Sequence, residues 1–360
     1  MSARVLHVVV AGDIGGAERL LVDLASRPSQ SGVEHSVALM TPNPKLREYL
    51  TKSGLRVIDR GPVRENPIAY LWRSLGPRDT AWLAEVIARE GARIAHLHTF
   101  QSHVVGTRAA RHAGAKILRT EHHIQYFVDP STSAFTRWSL ARADAVVAIS
   151  DYVAAFVART APGVRPKLRT VRNGVDADYF TPRPWPADAP FTFVVVCRLE
   201  PWKHVELAIE AMKALPDARL LIAGDGSARE GLEARARPLG SRVHFLGYCA
   251  DPRDALARGH AAVSSSRDEP LGLSVLEAQA MGRPVIAFAG GGIPEVVRDG
   301  ETGWLVHEQR VEALASRMRE AASDVGRAKI MGAAARRFVD AEHRIERMCE
   351  GYGAAYSSLL

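Results

Sequence analysis

Short apolar runs rich in Val, Ile, Leu and Ala alternate along the chain with longer stretches in which apolar residues recur every three or four positions. In the first half the short runs are VLHVVVAG (5–12), HSVALM (35–40), RIAHLH (93–98), KILRT (116–120) and AVVAIS (145–150). Between them AERLLVDLASR (17–27) and TAWLAEVIARE (80–90) carry the helical period. Strands that are apolar throughout and separated by helices predict a parallel sheet covered on both faces. TPRPWPADAP (181–190) then places four prolines in ten residues, which neither helix nor strand can absorb, and reads as a linker. The alternation restarts with strands at 191–198, 218–224, 242–247, 261–266 and 283–289, and helices at 205–215 and 273–282. From about Arg310 onward only helix is expected. The pattern predicts two doubly wound α/β domains, 1–182 and 183–340, with a C-terminal helix at 341–360 packing back toward the first domain.

Composition agrees with a packed protein of that size. The chain has 360 residues, 47% hydrophobic and 24% charged, which at about 150 residues per domain suggests two domains. No apolar run approaches the roughly 18–20 residues of a membrane-spanning helix, and the opening MSARVLHVVVAGD reads as a first strand, so a cytoplasmic protein is expected. Three scattered cysteines, Cys197, Cys249 and Cys349, support neither a disulfide framework nor a zinc site. The formal charge of +7 is spread without any basic run, which argues against nucleic acid and fits an ordinary basic surface, with peripheral contact to an anionic membrane as the alternative.

The chemistry concentrates where strands end. SSSRDEPLGLSVLEAQAMGRPVIA (264–287) reads as strand, turn, helix, strand, with Pro270 and Gly272 shaping the turn. Free N–H groups of Gly272, Leu273 and Ser274 at the helix start, together with the helix dipole, make an anion site suited to a diphosphate. Glu269 before that turn and Glu277 within the helix stand about 8–10 Å apart, roughly the span from a sugar across a diphosphate to a ribose. Without the turn between them, two such glutamates would read as a loop acid and a solvated helix residue. In CRLEPWKH (197–204), Arg198 and Lys203 follow a strand and could grip phosphate oxygens from one pocket. Gly12, Gly15 and Gly16 let backbone approach a ligand after the first strand, although the GxGxxG dinucleotide spacing is missing. TEHH (120–123) offers His122 or His123 at a strand end, and His98 is a weaker candidate. The Asp176-Ala177-Asp178 triplet invites a metal reading that the absence of a nearby third ligand argues against.

These segments resemble the retaining glycosyltransferases of family 4, which have the GT-B fold of two Rossmann-like domains facing across a cleft. The likeness is carried by GGAERLL (15–21), T-x-H (120–122), ADAVVAIS (143–150), NGVD (173–176), CRLEPWKH, AGDGS (223–227) and FLGY (245–248). Its most specific parts are EPLGLSVLEAQAMGRPVIA (269–287) and GGIPEVVRDGETGWLV (291–306). The resemblance implies an acceptor-side first domain and a second domain holding a nucleotide sugar, a UDP-sugar before GDP-mannose. It implies that Arg198, Lys203, Gly16, Gly272 and Leu273 bind the donor diphosphate, Glu277 the ribose, and Tyr248 and Cys249 the base. Glu269 would contact the transferred sugar and His122 would lie near its reacting carbon. Neither metal nor cofactor is expected, and the acceptor is expected to be a glycan, glycolipid or lipid-linked precursor. Leu271 stands where an aromatic residue is common in the family, and Arg172 where a proline is. A nucleotide-sugar 2-epimerase and a non-catalytic sugar-nucleotide-binding subunit are the alternatives on the same fold.

Overall fold

The computed structural model describes residues 3–10, 15–27, 32–41, 43–63, 72–187 and 190–360. It divides into two compact units: Met1–Asn173 together with Glu346–Leu360, and Gly174–Ile345. The proline-rich stretch therefore lies inside the second unit. It is held there by Arg283, whose guanidinium donates to the carbonyls of Arg183 (3.1 Å) and Pro184 (2.9 Å).

The first unit is built on seven strands: β1 (Ala3–Val9), β2 (Val33–Leu39), β3 (Arg56–Asp59), β4 (Ile94–Leu97), β5 (Lys116–Glu121), β6 (Ala145–Ala148) and β7 (Leu168–Thr170). Their order is β3-β2-β1-β4-β5-β6-β7 with every neighbouring pair parallel. The edge strands β3 and β7 are short and largely outside the core, and the apolar pattern does not announce them. The second unit has six strands, β8 (Thr192–Val196), β9 (Arg219–Ala223), β10 (Val243–Gly247), β11 (Ala261–Ser264), β12 (Val285–Phe288) and β13 (Gly303–Val306), ordered β10-β9-β8-β11-β12-β13 and again all parallel. Both are doubly wound sheets of Rossmann type. In each, the chain reverses direction across the sheet at its middle, between β1 and β4 and between β8 and β11, and ligands of such sheets bind beyond the strand ends at that point.

Local rules account for the helices that flank them. Helix Pro77–Glu90 starts on a proline, whose missing N–H costs nothing there, and ends at Gly91 in the left-handed region (φ 61°). Asp129 and Ser150 cap the helices Pro130–Arg142 and Asp151–Thr160 by accepting backbone N–H bonds. The final three helices, Val311–Ser323, Val325–Glu342 and Ile345–Ser357, fill the region read as helix only. Nearly all of the last of them belongs to the first unit. No described helix is long and apolar enough to cross a membrane.

β5 shows what a doubly covered sheet demands of polar residues. Its alternate side chains Arg119 and Glu121 point to one face, are almost wholly buried, and pair with each other. Arg119 also donates to the Thr136 carbonyl (3.0 Å) and to Ser139 Oγ on helix Pro130–Arg142. Removing one partner strands a buried charge, so Arg119→Met should cost roughly 3–5 kcal/mol in chemical denaturation, whereas Arg119→Met with Glu121→Leu should cost far less. Equal losses for the single and double variants would contradict a mutually satisfied pair.

Candidate functional site

In the second unit a narrow crevice opens between the carboxyl ends of β8 and β11. Lys203, Glu269 and Ser274 line it, with backbone and small side chains of 195–197 and 263–266. Lys203 Nζ donates to Glu269 Oε2 at 2.7 Å, and each side chain is slightly under one-fifth exposed. The loop that carries Lys203 is tied down by Ser265, whose hydroxyl donates to the Lys203 carbonyl at 3.2 Å. His204, next in sequence, adopts a left-handed conformation (φ 50°) to start the helix Val205–Ala211.

The Glu269 loop rests on glycine. Gly292 N–H donates to the Glu269 carbonyl at 2.8 Å. A Cβ on Gly290, Gly291 or Gly292 would lie 1.8, 2.1 or 2.3 Å from the carbonyl oxygens of Arg267, Glu269 and Pro270 respectively. The three glycines thus let two backbones touch, and the contact sets where Glu269 stands. Gly272, at φ 102°, turns the chain into the helix Leu273–Ala280, whose first N–H groups have no carbonyl one turn earlier to bond. Lysine, carboxylate and helix start therefore converge at one crevice. The thiol of Cys197 beside them is pushed up to about 12 by burial, so it stays protonated and is no nucleophile at neutral pH.

The other expected site residues stand apart from this lining. Arg198 is exposed, with its guanidinium 6.0 Å from the ring centroid of Trp202. The turn Gly224–Ser227 packs against the backbone that carries it, since Leu199 N–H donates to the Asp225 carbonyl at 2.8 Å. Glu277 is buried one turn inside the helix, Leu271 is buried, and Tyr248 is exposed. Cys249 Sγ donates to the Asp251 carbonyl at 3.0 Å. Asp176 and Asp178 form no metal-like pair: Asp176 accepts the N–H groups of Asp178 and Tyr179, and Asp178 pairs with Arg344 at 2.8 Å. In the first unit Gly16 opens the helix Gly16–Ala25, with Glu18 accepting the Gly15 N–H at 2.8 Å, while Gly12 falls outside the described residues.

His122 belongs to a larger arrangement. Its Nε2 lies 3.3 Å from His98 Nδ1; His98 Nε2 lies 2.9 Å from His7 Nδ1; His7 Nε2 lies 2.8 Å from His35 Nδ1. Beside this chain His96 bonds Tyr356 OH (2.9 Å) and Thr120 Oγ1 (2.7 Å), and Thr120 meets Tyr352 OH at 3.3 Å. Nitrogens of His7, His96 and His98 come within 4.8 Å of one another, close enough for a metal, yet the rings already satisfy each other and the neighbouring hydroxyls. His7 and His35 carry no signal in the sequence, because a lone histidine in a strand looks like any satisfied core residue. The usable signal is the alternation that puts His96 on β4 and His98 just past its end on one face, and Thr120 on β5 and His122 just past its end on the same face.

Residues 14–179 match "Glycosyltransferase Family 4" and residues 182–338 match "Glycosyl transferases group 1". The chain is also 34% identical to the GDP-mannose-dependent monoacylated alpha-(1-6)-phosphatidylinositol monomannoside mannosyltransferase of Corynebacterium glutamicum, over 67% of this chain and 70% of that one. It belongs to the family 4 glycosyltransferases. The D-inositol 3-phosphate glycosyltransferase of Mycolicibacterium gilvum is 27% identical over 96% of this chain and 86% of its own length. Among solved structures, Anabaena HepE in complex with UDP-glucose superposes with a TM-score of 0.84 at 22% identity, covering 99% of both chains, which supports the GT-B fold.

Gly291→Ala must place a Cβ at φ 61° against the Glu269 carbonyl, and should lower the thermal midpoint by about 2–8 °C; an unchanged midpoint would refute a close glycine contact. Burial lowers the pKa of His7, His96, His103 and His122 well below the ordinary value, of His98 to about 3, and of His35 and His123 to about 4. The unfolded chain takes up these protons near pH 6.5 while the folded one does not, so their stability is present above that pH and is lost as pH falls toward 4. Chemical denaturation should show the first unit weakening below pH 6.5, by up to about 1.4 kcal/mol per pH unit for each histidine that stays neutral. Constant stability between pH 6.5 and 5 would contradict neutral rings.

Proposed function

We propose that this protein is a retaining glycosyltransferase that moves a hexose or N-acetylhexosamine from a nucleotide sugar to an acceptor hydroxyl. The observation that carries this reading is the Lys203–Glu269 pair set at the start of helix Leu273–Ala280, in the crevice between β8 and β11. A diphosphate entering there would take Lys203 as its counter-charge and accept the free N–H groups of Leu273 and Ser274. Glu269, released from the lysine, would accept hydrogen bonds from hydroxyls of the transferred sugar. Arg198 has the exposure and reach to close over the phosphates from its place beside Trp202, and Glu277 is assigned to the ribose. Gly16, Tyr248, Cys249 and His122 keep the roles that the family likeness assigns them, with His122 at the sugar.

Chemically, the acceptor oxygen bonds to the anomeric carbon on the face from which the diphosphate departs, and its proton passes to a phosphate oxygen of that leaving group. No protein base is needed for this step. Lysine, arginine and the helix start would neutralise the departing charge, so neither metal nor cofactor is part of the proposal. The donor reading is supported from two sides: a relative named for GDP-mannose and a fold neighbour bound to UDP-glucose. We favour a UDP-sugar, with GDP-mannose second. A glycan or lipid-linked acceptor is suggested by the phosphatidylinositol mannoside in that relative's name, and contact with an anionic membrane by the charge of +7.

Thermal unfolding with UDP, GDP and their sugars tests the donor class. Ligand at 100 times its dissociation constant adds about 2.7 kcal/mol, which should raise the midpoint by several degrees with one nucleotide and vanish in Lys203→Ala. A full shift in that variant would remove Lys203 from the site. The same variant should lose most sugar transfer while remaining folded.

A further inference from the structure

The four rings His35, His7, His98 and His122 form one continuous hydrogen-bond chain, with contacts of 2.8, 2.9 and 3.3 Å. Parallel register explains how this comes about. His7 on β1 stands level with His96 on β4, and alternation puts His98 beyond β4 on the same side. Thr120 on β5 and His122 just past its end share that side, and His35 joins from β2. His7 is fully buried, His98 nearly so, and both ring nitrogens of each are used within the chain. His122 keeps Nδ1 without a partner among the described residues, and His35, at the other end, is only partly buried. Tyr352 and Tyr356 cover His96 alongside, which walls the chain off from water on that side.

A neutral imidazole carries one N–H and one acceptor nitrogen. Each of the three bridges needs one hydrogen, so the rings cannot choose independently. Either every ring is protonated on Nδ1, with bonds pointing from His35 toward His122, or every ring is protonated on Nε2, with bonds pointing back. In the first state Nδ1 of His122 is a donor; in the second it is an acceptor. One proton entering at His122 Nδ1 and one leaving at His35 Nε2 converts the second state into the first, each bridging hydrogen moving to its neighbour and no charge remaining in the core.

We propose that His7 and His98 are positioning residues that lock His122 into a tautomer shared with His35, so that the outer end of the chain sets whether His122 offers a donor or an acceptor to the sugar. This rests on the assignment of His122 to the transferred sugar. The low basicity of the buried rings is consistent with it, because a charged ring would have two donors and break the run.

Two-bond nitrogen–proton correlation spectra of the full chain, labelled at histidine and assigned through single His→Gln variants, test this in the ligand-free protein. The expected result is the same protonated nitrogen on His7, His98 and His122. Opposite tautomers on any neighbouring pair, or a doubly protonated ring within the chain at pH 7.5, would overturn the proposal. His7→Phe, two rings from His122, should split the His122 signals into two tautomers, and His7→Gln, whose amide can accept and donate, should restore one. A folded His7→Phe protein with His122 unchanged would also overturn it; should that variant fail to fold, the wild-type spectra alone decide. Titration with UDP-glucose and GDP-mannose then separates the two readings. If the tautomers agree but neither nucleotide sugar moves the His122 signals, the coupled chain stands and the assignment of His122 to the sugar falls.

Discussion

A parallel sheet covered on both faces leaves a polar side chain on a central strand with no water to bond, so its partners must come from the strands beside it or from the helix above. The two units answer that demand differently. In the second, β8, β11 and β12 carry Val, Ile, Ala and Phe almost alone, and the polar chemistry is displaced into the turns beyond their ends. In the first, polar groups enter the strands themselves and are satisfied in sets: Arg119 with Glu121 on one face, and the histidines with Thr120 and two tyrosines on the other. Each set is stable only as a whole, because losing one member leaves another buried and unbonded.

Displacing chemistry into turns raises a second problem, which is holding a loop still. Here close backbone contact does the holding. The Gly290–Gly292 stretch lies against the Arg267–Leu271 loop, and Gly224 and Gly226 lie against the backbone of Cys197 and Leu199. These contacts run between adjacent strand ends, so the crevice that holds Lys203 and Glu269 is braced from both sides. The ion pair itself keeps two groups in place that would otherwise be half-buried charges without partners.

The amino-acid sequence discloses the central strands well, because a strand buried on both faces must be apolar along its length. It is silent on β3 and β7, which are three or four residues long at the sheet edges, and on β13, whose Gly-Trp-Leu-Val hides in a glycine-rich stretch that reads as turn. The crevice of the second unit is legible for the same reason that it exists: strand ends, glycines and charges come in short, ordered stretches. That Lys203 would pair with Glu269, while Arg198 lies over Trp202, depends on side-chain reach across 66 residues and has no local signal. The histidine chain is illegible until register is known, since its links join residues as far as 91 positions apart.

The last helix has a consequence for how the chain is made. Tyr352 and Tyr356, which close over His96 and Thr120, are synthesised after the whole of Gly174–Ile345. At roughly 5–20 residues per second, the first sheet waits on the order of ten to thirty seconds for the side chains that complete its interior. The second unit, Gly174–Ile345, is therefore complete in sequence before the first, whose last segment is Glu346–Leu360. The unit that begins the chain is thus the last to have all of its residues made.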